Sequence, residues 1–252
     1  MPRTKTANLP DDAALLVPPS PLLLAVEQVM LRSTDGSRAS ASIGERIAVR
    51  LAGAITLDRV RAGQRLLESD ISALMQVSRA PVREALRILE RDRLVEFKPR
   101  RGAIVTAPDR AELRDVFTIR STLYCLLLAQ AMEDNPEQLE AVFALHMPRL
   151  AKAADEGVDA YALEGFLLNI AVFDICGNRL LGDMLKSISL RTLRYVRLGL
   201  ANSPQAIGQS LRTWRMLHRA IRRRDIPKVL ETARRRMSST RDSAVRALMR
   251  PH

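Results

Sequence analysis

From residue 43 onward the apolar positions fall into recognisable registers. Ile43, Ile47, Leu51 and Ile55 recur every four residues and mark one face of a helix. Ala62-Gly63 interrupts that pattern. Ile71, Leu74 and Met75 then give Glu68–Met75 an inward face, which predicts a short second helix. Gln76-Val77-Ser78 predicts a tight turn. A third helix is predicted over Arg79–Arg91, with Val82, Ala85, Leu86 and Leu89 inward and Arg79, Arg83 and Arg87 elsewhere on its surface. Ser78 suits its N-cap, and Pro81 falls in the first turn, where a missing N–H is tolerated. Two β-capable runs come next, Leu94–Phe97 and Ala103–Val105, around the basic turn Lys98-Pro99-Arg100-Arg101-Gly102. They read as a hairpin. Helix, short helix, turn, helix, basic hairpin is the order of a winged helix-turn-helix.

After Pro108 the pattern is helical to the end. Helices are predicted over Arg110–Glu133, Pro136–Asp155, Asp159–Cys176, Leu180–Leu200, Pro204–Arg224 and Ile226–Met249. Six helices of such length make an antiparallel bundle. Residues 1–40 carry Pro10, Pro18, Pro19 and Pro21 and end in a polar stretch. They read either as a flexible arm, with a short helix near Leu22–Leu31, or as a disordered tail with no specific role. The expected fold class is mainly α. An N-terminal arm (1–40) precedes a winged helix-turn-helix (41–107), and a C-terminal all-helical antiparallel bundle (108–252) completes the chain.

Composition sharpens this. The chain is 47% hydrophobic but only 4% aromatic, and Ala, Leu and Arg dominate, which favours helix over sheet. No run of 18 uncharged apolar residues occurs, and no basic region leads into an apolar signal, so neither a membrane span nor a secretory signal is expected. Cys125 and Cys176 lie in helical apolar patterns and read as free buried thiols of a cytoplasmic protein. The net charge of +12 suits a polyanionic partner. Its distribution complicates the reading. Residues 41–106 carry +5, 107–185 carry −7 and 186–252 carry +14. The C-terminal excess either extends a nucleic-acid-facing surface or pairs with the acidic segment; the second reading is favoured, since opposite charges of that size in one domain are natural partners.

The helix-turn-helix works by placing its second helix in the major groove, where N-terminal side chains reach base edges. Those positions hold Ser78, Arg79, Ala80 and, one turn on, Arg83. Arg is the usual bidentate partner of guanine, while Ser78 and the backbone N–H groups of the helix start suit a phosphate. Arg100 and Arg101, on a turn ended by Gly102, can enter the minor groove or hold its phosphates. The ordered run Leu67-Glu68-Ser69-Asp70-Ile71-Ser72, Val77 through Leu86, Leu89, and Arg100 through Ala103 with Val105 resembles the N-terminal domain of the GntR family. The resemblance implies a bacterial repressor or activator that binds a short inverted repeat of double-stranded DNA as a homodimer. It assigns base contacts to Arg79 and Arg83, and wing contacts to Arg101 and Gly102. One departure is Gln76, where that family usually has Gly; Gln must then adopt a left-handed conformation at modest cost.

Gly177-Asn178-Arg179-Leu180-Leu181 and Ala220-Ile221 through Asp225 resemble the helical effector domain of the FadR-type (FCD) branch, and six helices its VanR-like form. Such domains often hold a divalent metal through one Asp and three His, which then ligates a carboxylate effector. Aligned on these motifs, the four positions hold Gly165, Asn169, Trp214 and Arg236, none a strong ligand for a transition metal. The metal site is therefore expected to be lost, with no cofactor in its place. Arg236 leaves a cation there that can clamp a small anionic effector directly. Arg120 and Arg194 could add charge, Trp214 an apolar wall, Asn169 a polar one, and His218 could face inward. Against this stands a solvated stripe at Arg234-Arg235-Arg236.

The expectation is thus a sequence-specific regulator whose DNA affinity responds to a small molecule, an organic acid by the resemblance. The alternative is an architectural or weakly specific nucleic-acid binder. No Ser/His/Asp set, zinc-ligand spacing or phosphate-binding loop supports an enzyme.

Overall fold

The computed structural model describes residues 21, 24, 26–28, 42–107 and 110–249. The chain divides into two compact units, with the boundary between Ala107 and Pro108. The helix expected near Leu22–Leu31 lies mostly outside the described residues. Within it, Leu24 and 26–28 are helical, Val26 is buried, and Glu27 pairs with Arg50 at 3.0 Å.

In the first unit, α1 (Ile43–Thr56) opens on a capping box. The Ser42 hydroxyl accepts from the Glu45 N–H, and the Glu45 carboxylate accepts from the Ser42 N–H. β1 (Arg65–Leu66), α2 (Glu68–Met75), α3 (Arg79–Arg91), β2 (Val95–Lys98) and β3 (Gly102–Val105) follow. The sheet order is β1-β3-β2, all antiparallel, with Ile104 facing Arg65 on one side and Glu96 on the other. Ile47, Leu51, Ile55, Ile71, Val82, Leu86, Leu89, Val95 and Val105 form one core. Two expectations need correction. Ile43 sits in the first turn of α1 and is 57% exposed, so the apolar stripe begins at Ile47. The hairpin also gains a third strand, β1, too short at two residues to leave an alternating pattern.

The second unit contains, among the described residues, six helices: α4 (Arg110–Asp134), α5 (Pro136–Glu156), α6 (Val158–Asp174), α7 (Arg179–Ala201), α8 (Ala206–Arg222) and α9 (Ile226–Leu248). Boundaries shift slightly from the sequence pattern. α6 stops before Cys176, and α8 stops before Arg224, which turns the chain at φ 55°. α9 packs against α4, α7 and α8, and α5 against α6 and α8. Tyr124, Leu128, Phe143, Leu168, Leu185, Trp214, Leu217 and Val229 are buried between them. Acidic residues of α4, α5 and α6 meet basic residues from α7 onward: Glu112–Arg191 at 2.8 Å, Asp174–Lys186 at 2.8 Å, Asp159–Arg197 at 2.5 Å and Glu137–Arg224 at 2.5 Å. The favoured pairing of the two charged segments is seen in these bridges. Cys125 and Cys176 are free and buried. Among the described residues, no helix is long and apolar enough to cross a membrane.

The approach of α7 to α9 is set by Gly199. A Cβ there would stand 3.0 Å from the Ala244 nitrogen and 3.1 Å from the Ser243 carbonyl carbon, both backbone atoms that cannot swing aside. Gly199→Val is expected to destabilise the helical unit by about 1–3 kcal/mol, the usual cost of overpacking. A lowered urea midpoint by circular dichroism would show it; an unchanged midpoint would mean that the two helices part easily.

Candidate nucleic-acid interface and ligand cavity

The surface of α3 divides cleanly. Val82, Ala85, Leu86 and Leu89 are buried, whereas Ser78, Arg79, Ala80 and Arg83 are exposed. This division follows from 3.6-residue periodicity and holds the helix by one face. Ser78 is the N-cap by position, and it is exposed, but its side chain makes no capping hydrogen bond to the first N–H groups of α3. The turn before it runs through Gln76 at φ 54°, ψ 42°, the left-handed conformation expected from its place.

Arg83 has a partner that the sequence did not indicate. Its Nε donates to Glu68 Oε1 at 3.0 Å and its Nη2 to Oε2 at 2.8 Å, a two-point fork onto the first residue of α2. The Arg83 side chain remains 63% exposed. Glu68 therefore orients the group by its Nε–Nη2 edge, and Nη1 takes no part in the fork. The hydrogen bond from Arg83 holds the Glu68 carboxyl below the usual glutamate range, with the Arg83, Arg79 and Arg87 charges adding to the effect. Arg87 is anchored otherwise, to Glu90 at 2.9 Å and over the Phe97 ring at 4.7 Å. At the wing tip Arg100 and Arg101 are exposed. Arg100 (φ 61°) and Gly102 (φ 74°) both take left-handed conformations, and the Arg101 N–H closes the turn onto the Lys98 carbonyl.

In the helical unit, four side chains from four different helices meet. Arg120 (α4), Asn169 (α6), Trp214 (α8) and Arg236 (α9) line one cavity of about 60 Å³, together with Gly165 and Ser189. The four positions at which related domains are expected to bind metal, Gly165, Asn169, Trp214 and Arg236, are thus spatial neighbours. Their chemistry does not suit a metal: a glycine, an amide, an indole and a cation offer no anionic or imidazole donor. No group of three or more His, Cys, Asp or Glu among the described residues could hold an ion either.

Both arginines are deeply placed, at 5% and 7% exposure. Arg236 lies with its guanidinium 3.7 Å above the Trp214 ring and donates from Nη2 to Asn169 Oδ1 at 3.2 Å. Asn169 is oriented in turn by its Nδ2, which donates to the Gly165 carbonyl at 2.7 Å. Arg120 donates from Nη1 to Thr192 Oγ1 at 2.7 Å. Burial, then the neighbouring Arg236 charge, pushes the Arg120 pKa down to about 9, still above neutrality; burial lowers that of Arg236 as well. The remaining two candidates lie elsewhere. His218 stacks on Phe143 at 5.7 Å and approaches Glu140 at 3.4 Å. Arg194, half-buried on α7, is not among the residues lining the cavity. Ser189 and Thr192 were missed, because small hydroxyl residues inside a helix carry no sequence signal of a pocket.

Residues 43–105 match the family profile described as "Bacterial regulatory proteins, gntR family", and residues 115–239 match the FCD domain. Over 99 residues the chain is 31% identical to the gluconate operon transcriptional repressor of Bacillus subtilis, covering 39% of this chain and 40% of that protein. Over 109 residues it is 31% identical to the HTH-type transcriptional repressor RspR of Escherichia coli, covering 42% and 47%. These matches span less than half the length of the curated relatives. Among solved structures, E. coli McbR/YncC superposes with a TM-score of 0.70 at 19% identity, over 82% of this chain and 98% of that one. A GntR regulator from Rhodococcus sp. RHA1 gives 0.63 at 22% identity, over 84% and 100%. At such identities the structural likeness concerns the fold.

Two outcomes are expected. In a carboxyl-resolved NMR titration Glu68 should ionise below the ordinary glutamate range, and Arg83→Ala should return it there; an unshifted Glu68 in the parent chain would mean that the fork does not persist in solution. Zinc or nickel should give no thermal stabilisation reversible by chelator, whereas a chelator-sensitive gain would reveal a ligand set other than the one described.

Proposed function

Because the chain belongs to the gntR family of bacterial regulatory proteins and carries an FCD domain behind its winged helix, we propose that it is a sequence-specific transcriptional regulator. It reads double-stranded DNA with α3 and the wing, and a small anion held in the helical unit sets its affinity for the operator. The observation that carries this reading is the exposed front of α3. Arg79 and Arg83 stand off the core on a helix fixed by its opposite face, one of them pre-aimed by Glu68. Ser78 and the helix N-terminus supply phosphate contacts beside them, and Arg100, Arg101 and Gly102 supply those of the wing. Two such heads in a homodimer would read a short inverted repeat, in the cytoplasm where the free thiols fit.

The regulatory step follows from connectivity. α4 begins at Arg110, three residues after the first unit ends, and carries Arg120 into the cavity, while Arg236 enters from α9. An anion held by both guanidiniums favours one placement of α4 against α9. The linker around Thr106–Arg110 transmits that preference to the heads. The effector must bind the two placements with different affinity for this to work. Weakly specific nucleic-acid binding, the alternative, draws on the overall +12 charge. That charge is not gathered on one face of the helical unit: Lys186, Arg191, Arg197 and Arg224 are paired with carboxylates.

In competition against random duplex, Arg79→Ala and Arg83→Ala should each cost about 1–3 kcal/mol of specific binding and relax preference at one base pair. Arg101→Ala should weaken binding to all sequences alike and flatten the salt dependence by about one unit of slope. Equal affinity of the parent protein for operator and random duplex at moderate salt would sink the regulator reading.

A further inference from the structure

We infer that the cavity ligand is a compact oxyanion carrying two negative charges, held by Arg120 and Arg236 directly and without an intervening metal, an inference that rests on the reading of the cavity as an anion site.

Charge is the first ground. Two guanidiniums line one cavity, both almost wholly buried, and among the described residues no carboxylate lies within ion-pairing distance of either. The groups that meet them are neutral: Thr192 for Arg120, and Asn169, Trp214 and Tyr124 for Arg236. Burying one uncompensated charge is costly, and two of the same sign cost more. A monoanion leaves one of the pair unanswered. A dianion neutralises both.

The second ground is hydrogen-bonding type. Each guanidinium carries five N–H donors and no acceptor. One N–H of Arg120 reaches Thr192 and one of Arg236 reaches Asn169, while both Nε atoms are buried without a partner. The Ser189 hydroxyl, 1% exposed in the cavity wall, also lacks one. A cavity rich in unanswered donors favours an acceptor-only ligand. Trp214 covers the face of the Arg236 guanidinium at 3.7 Å, so the cation meets a ligand by its edge, the geometry of bidentate oxyanion binding.

Size is the third. About 60 Å³ is less than half of the roughly 150 Å³ found for an engineered cavity that takes benzene. The enclosed space suits a tetrahedral oxyanion or a very short dicarboxylate better than an aromatic acid or a sugar acid in this conformation. The shared chemistry is a small dianion; sulfate, phosphate and malonate represent its inorganic and organic forms.

The test uses the full chain in chelator-treated buffer, with ionic strength held constant by chloride. Thermal shift and calorimetry are run with sulfate, phosphate and malonate against acetate, formate and benzoate. At least one dianion should bind one per chain, tenfold or more tighter than every monoanion. Arg236→Gln and Arg120→Gln should each lose that dianion response at least tenfold. Each should also melt no lower than the parent without ligand, since one of two repelling buried charges is gone; a merely structural arginine would lower the melting temperature instead. If either variant fails to fold, the ion series on the parent chain decides. Equal binding of acetate and sulfate would overturn the dianion inference while leaving an anion site in place. No binding by any of the six would overturn both, and binding that appears only with added divalent metal would overturn the metal-free arrangement.

Discussion

A cation sealed inside a protein must be answered by something, and in this helical unit the answer to Arg236 is incomplete. Its guanidinium plane rests on the Trp214 indole and one edge reaches the Asn169 amide, which the Gly165 carbonyl holds in position. Those contacts stabilise the group without neutralising it, and Arg120 adds a second positive charge to the same space. The positions around which the helices gather therefore constitute a cationic receptacle. Where metal ligands would place a positive ion, this chain places positive side chains; the sign of the site is kept while the means of producing it changes. The surrounding bridges between acidic and basic helices leave these two arginines apart, since their partners lie near the surface.

The winged unit solves a different problem with the same residue type. Arginines there must stand in solvent yet be aimed. The α3 core face of Val82, Ala85, Leu86 and Leu89 fixes the helix, and Glu68 fixes the Arg83 fork. Orienting a long side chain before binding reduces the rotamer freedom lost on contact. Burial decides which of the two roles an arginine has. On α3 water screens the charge, whereas in the bundle burial weakens that screening and neutral side chains stand in for it.

The legible parts of the molecule were those written in local periodicity. The bounds of α2 and α3, the tight turn between them and the basic hairpin all follow from spacing within a few residues, whereas the left-handed conformation of Gln76 was implied by the resemblance. The gathering of Gly165, Asn169, Trp214 and Arg236 was legible only by way of resemblance, since nothing in the spacing of residues tens of positions apart brings them together. What stayed hidden was set by tertiary packing. Glu68 and Arg83 are 15 residues apart and meet only once α2 is folded back on α3. Ile43 fits the apolar register but lies in the first turn of α1, where it is left in solvent. His218 shares a helix with Trp214 yet stacks on Phe143 outside the cavity lining, because an offset of one turn does not decide which neighbour a side chain meets.

The split surface of α3 has an evolutionary corollary. Residues 79 and 80 have no duty in the core, so they can be exchanged without disturbing the fold, and a descendant could acquire a new binding site through single changes there. Position 83 is less free. Its tether to Glu68 means that replacing the arginine removes the partner of a carboxylate at the start of α2, and change at the contact proposed for it would be coupled to change at position 68. Sequence preference in this lineage should diversify unevenly, quickly at the front of the helix and in coupled steps one turn behind.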